Sequence, residues 1–248
     1  MAFNSLPWRL AWRDARPQWR RLALYTSAMI VGVAAVVAIQ SFRQDLRRGV
    51  DDQGKALLGA DLALTARGAM PEAARAAFKQ QPGEVAEEVT LASMASFPGT
   101  GDLRLVQVRA LSGDWPWYGT IDTQPVSAVA TFRRDPVALV DESLMLQLGL
   151  RVGDEMRLGT SSFWITGALL RVPGEAAAMA QLAPRVFIGL DYLEATGLLG
   201  FGSRAQQRLY LRLPEGVAPA TVEAALRPMA VENGLRLTTV AERQRRLG

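Results

Sequence analysis

The sequence predicts an α+β extracytoplasmic domain tethered by one N-terminal transmembrane helix that extends into a stalk. Three observations predict it. Leu22–Phe42 is an uncharged run long enough as a helix to cross the hydrocarbon core of a bilayer. From Asp61 to Val240, strand-like alternation and helix-like spacing follow one another, with glycine and proline at the joins. The 248 residues are 49% hydrophobic and 21% charged, which supplies a real core for the roughly 190 residues beyond the span.

The leader, 1–21, reads as a cytoplasmic amphipathic basic segment. Trp8, Trp12 and Trp19 share one helical face, and Arg9, Arg13, Arg16 and Arg20 share the neighbouring one, with Arg21 at the span's edge. Indole rings suit the headgroup zone and arginines suit an anionic inner leaflet, so these eight residues are expected membrane-interface anchors with the amino terminus inside. A cleaved signal peptide needs a shorter leader and a small-residue cleavage site, and Ala38-Ile39-Gln40-Ser41 is a poor one. The pair Arg20-Arg21 reads as an anchor rather than a twin-arginine address.

The transmembrane helix is expected over 22–42 and a stalk over 43–58, because Phe42, Leu46, Val50, Gln53 and Leu57 recur at helical spacing with no proline before Gly59. A separate surface helix after a kink is the alternative. Gly49-Val50-Asp51-Asp52-Gln53-Gly54-Lys55 imitates the start of a phosphate-binding loop. Ala56 stands where a magnesium-holding hydroxyl belongs, two aspartates would repel phosphate, and no strand precedes the segment. Nucleotide binding is therefore not expected in this chain.

The domain, 59–238, divides on the page into blocks of about 59–135 and 136–238. Asp61–Arg67 alternates as a strand, Pro71–Gln81 is a helix between prolines, and Glu84–Phe97 returns extended, which reads as a βαβ unit. Pro98-Gly99-Thr100-Gly101 turns the chain into Leu103–Leu111 as a hairpin. Trp115-Pro116-Trp117-Tyr118-Gly119 is either a ligand platform or a loop anchored on its own domain, and the anchor is favoured. In the second block Val140-Asp141-Glu142-Ser143-Leu144 is expected to begin a helix. Glu155–Leu158 and Phe163–Leu170 pair as strands, and Asp191 caps a short helix ending at Gly197. Gln207–Leu213 is a strand, Pro219–Glu232 a helix and Leu235–Val240 the last strand.

Chemistry is narrowly bounded. The chain has neither histidine nor cysteine, which removes imidazole-based catalysis, histidine-ligated zinc, thiolates and disulfides. Asp141 and Glu142 are adjacent and diverge by about 100° in a helix, so a cap explains them better than a carboxylate pair. Ser143 and Ser161-Ser162 lack a base unless Lys55 or Lys79 serves. No catalytic, cofactor or metal site is expected. Net charge is +4, much of it in the leader, which favours a membrane surface over nucleic acid.

Thr239-Val240-Ala241-Glu242 is a capping box, so 239–248 reads as the truncated start of a stalk helix returning to the membrane. Phe42, Leu46, Val50, Leu57 and Val240 are the expected mechanical coupling residues between the two stalks.

Taken in order, the basic leader, the span with Gly32, Gly59-Ala60-Asp61-Leu62, Pro116-Trp117-Tyr118-Gly119 and Val140-Asp141-Glu142-Ser143-Leu144 with Leu148-Gly149-Leu150-Arg151-Val152-Gly153-Asp154 resemble the MacB/FtsX/LolC family of ABC transporter permeases. Ala183-Pro184-Arg185-Val186-Phe187, Ala195-Thr196-Gly197-Leu198-Leu199 and Gly202-Ser203-Arg204 resemble its YbbP-like branch, so the likeness covers nearly the whole chain. The resemblance implies a MacB-like periplasmic core and an inner-membrane location with the main domain periplasmic. It also implies a cytoplasmic ABC ATPase partner that binds the ATP, and stalk helices that carry its motion to a hydrophobic or envelope substrate. A family permease has further spans, so an amino-terminal fragment is expected. A complete single-pass membrane-anchored scaffold is the alternative, and a membrane-anchored serine–lysine hydrolase the third reading.

Overall fold

Helical spacing through the leader, the apolar run and the segment after it gives a single helix, α1, over Leu6–Leu58. The computed structural model describes residues 6–174, 184–200 and 204–240, and within α1 the side chains at 19–21, 23–44 and 54–58. The chain falls into two units, Met1–Val50 and Asp51–Gly248.

In the first unit, Trp19–Gln44 is 26 residues of helix, long and apolar enough to cross a membrane, and its described side chains are exposed. Its length, about 39 Å at 1.5 Å per residue, exceeds the hydrocarbon thickness of a bilayer. Leu24, Met29, Ile30, Val33 and Val37 all lie bare on it. Such a surface is stable only against lipid or other apolar helices.

The second unit is mixed α+β, as expected. Its strands are β1 (Leu62–Arg67), β2 (Glu84–Phe97), β3 (Asp102–Ser112), β4 (Asp122–Gln124), β5 (Val137–Asp141), β6 (Glu155–Leu158), β7 (Ser161–Arg171), β8 (Arg185–Gly189), β9 (Gln206–Arg212) and β10 (Arg236–Thr239). Helices α2 (Glu72–Lys79), α3 (Ala128–Thr131), α4 (Glu142–Leu148) and α5 (Pro219–Glu232) lie between them. The strands form one sheet in the order β10-β1-β9-β2-β3-β8-β5-β7-β4, with β6 bridging β2 and β7.

That bridge closes a ring, because β2, β3, β8, β5, β7 and β6 each pair with the next, and β6 returns to β2 at Ala95↔Leu158 and Ser96↔Arg157. Alternate side chains fill its interior: Ala95 and Phe97 of β2, Val106 and Val108 of β3, Met156 and Leu158 of β6, all fully or nearly buried. A ring this narrow is a packed core, not a channel. Beyond it, β2 continues into a smaller sheet with β9, β1 and β10. One face of that sheet is covered by α2 and α5 through Phe78, Leu211, Val222 and Leu226.

Several expectations are corrected. The βαβ unit is split: β9 lies between β1 and β2, antiparallel to both, so the carboxyl-terminal strands complete the sheet begun by the first block. Val140 and Asp141 end strand β5, and the helix starts only at Glu142. The buried Ala138, Leu139 and Val140 form a short unbroken apolar run, which periodicity cannot assign. Arg185–Gly189, buried throughout, is strand β8 for the same reason. Asp191 sits inside a 3₁₀ turn, Leu190–Tyr192, whose N-cap is Gly189, and a second such turn, Glu194–Thr196, ends on left-handed Gly197. Ala241–Gly248, expected to continue the returning helix, lies outside the described residues, as do Gly202 and Ser203.

Leu158→Ala, inside the ring, should cost about 2–5 kcal/mol, and Leu103→Ala, on its exposed exterior, less than about 0.5 kcal/mol. Urea unfolding of the detergent-solubilised chain, followed by tryptophan fluorescence, reads both.

Candidate functional site at the foot of the first helix

α1 ends where Gly59 adopts a left-handed conformation, φ 69°, and its N–H returns to the carbonyl of Lys55 at 2.8 Å. A glycine is required there twice over. Any other residue would be strained at that φ, and a Cβ would lie 2.6 Å from Nε1 of Trp115. The close approach exists because the aromatic loop folds onto the helix end.

Trp115 is 2% exposed, and its indole N–H donates to the carbonyl of Leu58 at 3.1 Å, capping one of the helix's open carbonyls. The backbone N–H of Trp117 donates to the carbonyl of Gly59 at 2.9 Å, and the Trp117 indole donates to Glu84 at 2.9 Å. Tyr118 donates to Oδ2 of Asp61 at 2.9 Å, and Lys55 sits 3.3 Å from Oδ1 of the same carboxylate and over the Tyr118 ring. Asp61 also accepts the backbone N–H of Leu213 at 2.9 Å. Burial and the Asp61 carboxylate both push the Tyr118 hydroxyl above its ordinary pKa. One buried aspartate thus ties the last turn of α1, the aromatic loop and the end of β9 together.

Beneath Trp115 lies a charged cluster. The indole stacks on Tyr210 with ring centroids 4.8 Å apart, and the Tyr210 hydroxyl donates to Oε2 of Glu88 at 2.5 Å. Oε1 of Glu88 accepts from Nε of Arg109 at 2.6 Å and from Thr90 at 2.7 Å. The Arg109 guanidinium lies over the rings of Trp115 and Phe187, at 5.4 and 4.7 Å. Burial alone would raise the Glu88 carboxyl, but Arg109 and Arg208 beside it, with the hydrogen bonds from Arg109 and Tyr210, hold it at about 2. Burial and the same carboxylate push Tyr210 up. The cluster is chemically quiet, a fixed hydrogen-bonded charge network suited to holding geometry rather than moving protons.

The expected coupling residues are only partly here. Val240 packs on the cluster that contains Leu58 and Trp115. Leu57 is 37% exposed, whereas its neighbour Leu58, which spacing passed over, is 4% exposed and carries the contact. Phe42 lies bare in the membrane-spanning stretch. Leu46 and Val50 belong to α1, but their side chains lie outside those described, as do those of Trp8, Trp12, Arg9, Arg13 and Arg16, while Trp19, Arg20 and Arg21 are exposed on it. The aromatic loop is an anchor. Gly49–Lys55, the imitation phosphate loop, is helix. Lys55 and Lys79 face the carboxylates of Asp61 and Glu87, and Ser143 bonds Asp141. Sequence reading missed Glu88 and Arg109. Their signal was a charge falling in phase on the face of each strand of the β2–β3 hairpin that lies opposite the ring interior, the face of Ala86 and Leu111, since Thr90 pairs with Arg109 and Glu88 with Leu111.

Residues 22–229 match the family described as the MacB-like periplasmic core domain. The chain is 27% identical over 202 residues to the ABC transporter permease YbbP of Escherichia coli (strain K12), a match covering 81% of this chain and 24% of that protein, so it spans about a quarter of the relative's length. Among solved structures it is similar to the periplasmic region of MacB from Actinobacillus actinomycetemcomitans, with a TM-score of 0.47 and 9% identity over 77% of this chain and 94% of that one. It is also similar to the extracellular domain of the noncanonic ABC-type transporter YknZ from Gram-positive bacteria, with a TM-score of 0.44 and 8% identity over 72% of this chain and all of that one.

Glu88→Gln should destabilise the chain by about 3–5 kcal/mol at neutral pH, since it removes one partner of a buried pair. The folded carboxyl titrates below its ordinary value near 4.5, so its contribution is complete above that pH and is lost as pH falls toward about 2. Urea midpoints taken between pH 6 and pH 2.5 should fall on the acid side in the native chain, with a shallower fall in the variant.

Proposed function

The chain belongs to the MacB-like periplasmic core domain family, and on that premise we propose that it is the first membrane span and the periplasmic domain of a longer ABC transporter permease. In this reading a cytoplasmic ATPase subunit binds and hydrolyses ATP. The motion reaches the periplasmic side along α1, and the domain works there on a hydrophobic or envelope substrate. The amino terminus is cytoplasmic, the membrane is the inner one, and the chain contributes force transmission rather than catalysis.

The observation that carries the reading is the joint at Leu58 and Gly59. A helix meant only as an anchor can be followed by a flexible linker. Here the last turn is capped by the Trp115 indole, braced by Asp61 through Lys55, and backed by the Trp115–Tyr210 stack on the Glu88–Arg109 pair. A displacement of the last turn of α1 is thereby passed to β9 through Tyr210, to β3 through Arg109 and to β8 through Phe187. The relative's description as an ABC transporter permease supports the partner class. Phe42, Leu46, Val50, Leu57 and Val240 are assigned to contact with a second, returning helix.

The test uses the complete permease with its ATPase in nanodiscs. Trapping with ATP and vanadate should change hydrogen exchange in β3 and β8 of the native complex. Trp115→Ala, and separately Leu46→Asp with Val50→Asp, should abolish that change while the ATPase stays bound and hydrolyses ATP. An exchange response unaltered by either variant would sink the transmission reading. A functional native species near 26.9 kDa that needs no ATPase would favour the single-pass scaffold instead.

A further inference from the structure

The small sheet is covered by helices on one face only. On the other, the register aligns Arg236 of β10, Thr65 of β1 and Arg208 of β9 in one row across three strands, and Arg67 stands two residues along β1 from Thr65. Adjacent strands lie about 4.8 Å apart, so three arginines flank one threonine, and all four residues line one groove. Arg208 is fixed in place: its Nε donates to Thr65 at 3.3 Å, Nη1 to Tyr210 at 3.0 Å and Nη2 to Gln206 at 3.3 Å. Arg67 and Arg236 are exposed and form no ion pair among the described residues.

Like charges placed side by side on a sheet destabilise it; the acid in the same row, Glu88, lies 3.6 Å from Nη1 of Arg208, and Arg67 and Arg236 have no acid paired with them among the described residues. Glu88 is also bonded to Arg109 and Tyr210. The acid at the groove's margin, Glu223, is bonded to Arg227. An open groove of about 800 Å³ borders this face and wraps the β10 edge: Leu58 and Ala63 line its α1 end, and Ala230, Val231 and Leu235, from α5 and the turn after it, line it from the helix-covered side. Guanidinium forks match phosphate oxygens two at a time, and a threonine hydroxyl can donate to a third.

We propose that this groove binds a phosphorylated amphiphile, with the phosphate held by Arg67, Arg208, Arg236 and Thr65 and the apolar part lying along Val231 and Leu235. The site is independent of the coupling reading, and its test needs no ATPase.

The experiment is calorimetric titration of the full chain, in a neutral maltoside detergent, with three probes: dihexanoylphosphatidic acid, dihexanoylphosphatidylcholine and inorganic phosphate. The phosphatidic acid should bind, the zwitterionic lipid should bind at least tenfold more weakly, and inorganic phosphate should also fall at least tenfold below the phosphatidic acid. Arg67→Gln with Arg236→Gln should weaken phosphatidic acid binding at least tenfold at a thermal midpoint no lower than the native one, and Arg236→Gln alone should weaken it several-fold. Arg104→Gln with Arg157→Gln, on the ring's exterior, should leave it unchanged. Equal binding by the groove variants and the native chain, or an equal loss in the exterior variant, would overturn the site. Inorganic phosphate binding as tightly as the phosphatidic acid would overturn the amphiphile and leave a free-phosphate site.

Discussion

The indole of Trp115 is the part on which the rest of the domain's order depends. It fills the space that Gly59 leaves open, caps the Leu58 carbonyl, stacks on Tyr210 and receives the Arg109 guanidinium against its face. These contacts come from the end of α1, from β9 and from β3. α1, the aromatic loop, β9 and β3 therefore meet at one side chain, and the geometry of any one constrains the other three. A large ring with a single donor suits that position, since it brings broad apolar contact and places one hydrogen bond.

Charge is buried around this ring, and burying charge is costly unless it is paired and fully hydrogen-bonded. Glu88 meets the condition with Arg109, Tyr210 and Thr90. A second pair, Asp141 with Arg185 at 2.8 Å, joins β5 to β8 and leaves the other oxygen of Asp141 to cap α4 through the N–H of Ser143. Apolar residues could hold these strands together, but a paired carboxylate also fixes orientation and register. Both pairs sit where strands of opposite chain direction meet, β2 with β3 and β5 with β8, where a shift by one residue would turn core side chains outward. The long strand β2 then belongs to both the closed ring and the small sheet, so the two share one backbone.

What the sequence made legible follows from which signals are local. The apolar run of α1, the β2–β3 hairpin about Pro98–Gly101, the β6–β7 hairpin about Gly159 and the helix Pro219–Glu232 are each written in consecutive residues. The ring closure is not, because it rests on β6 meeting β2 across sixty residues through two pairs, Ala95↔Leu158 and Ser96↔Arg157. The insertion of β9 between β1 and β2 is equally remote from any local pattern. β5 and β8 were hidden because a strand buried on both faces has no alternation to read. At the candidate site, the loop's role as an anchor was legible from three large rings in five residues, but its target was not. Leu58 rather than Leu57 meets Trp115, and helical spacing alone does not settle which neighbour turns inward when a helix ends on a left-handed glycine.

The central claim is that the end of α1 and the ring form one cooperative unit. Hydrogen exchange on the full chain in detergent tests it at the Gly59 and Trp117 amides, whose acceptors are the carbonyls of Lys55 and Gly59. The account predicts that these amides exchange as slowly as those of Val106 and Val108 in β3, opening only with global unfolding. Exchange several orders of magnitude faster at Gly59 and Trp117, with β3 still protected, would show a frayed helix end and contradict it.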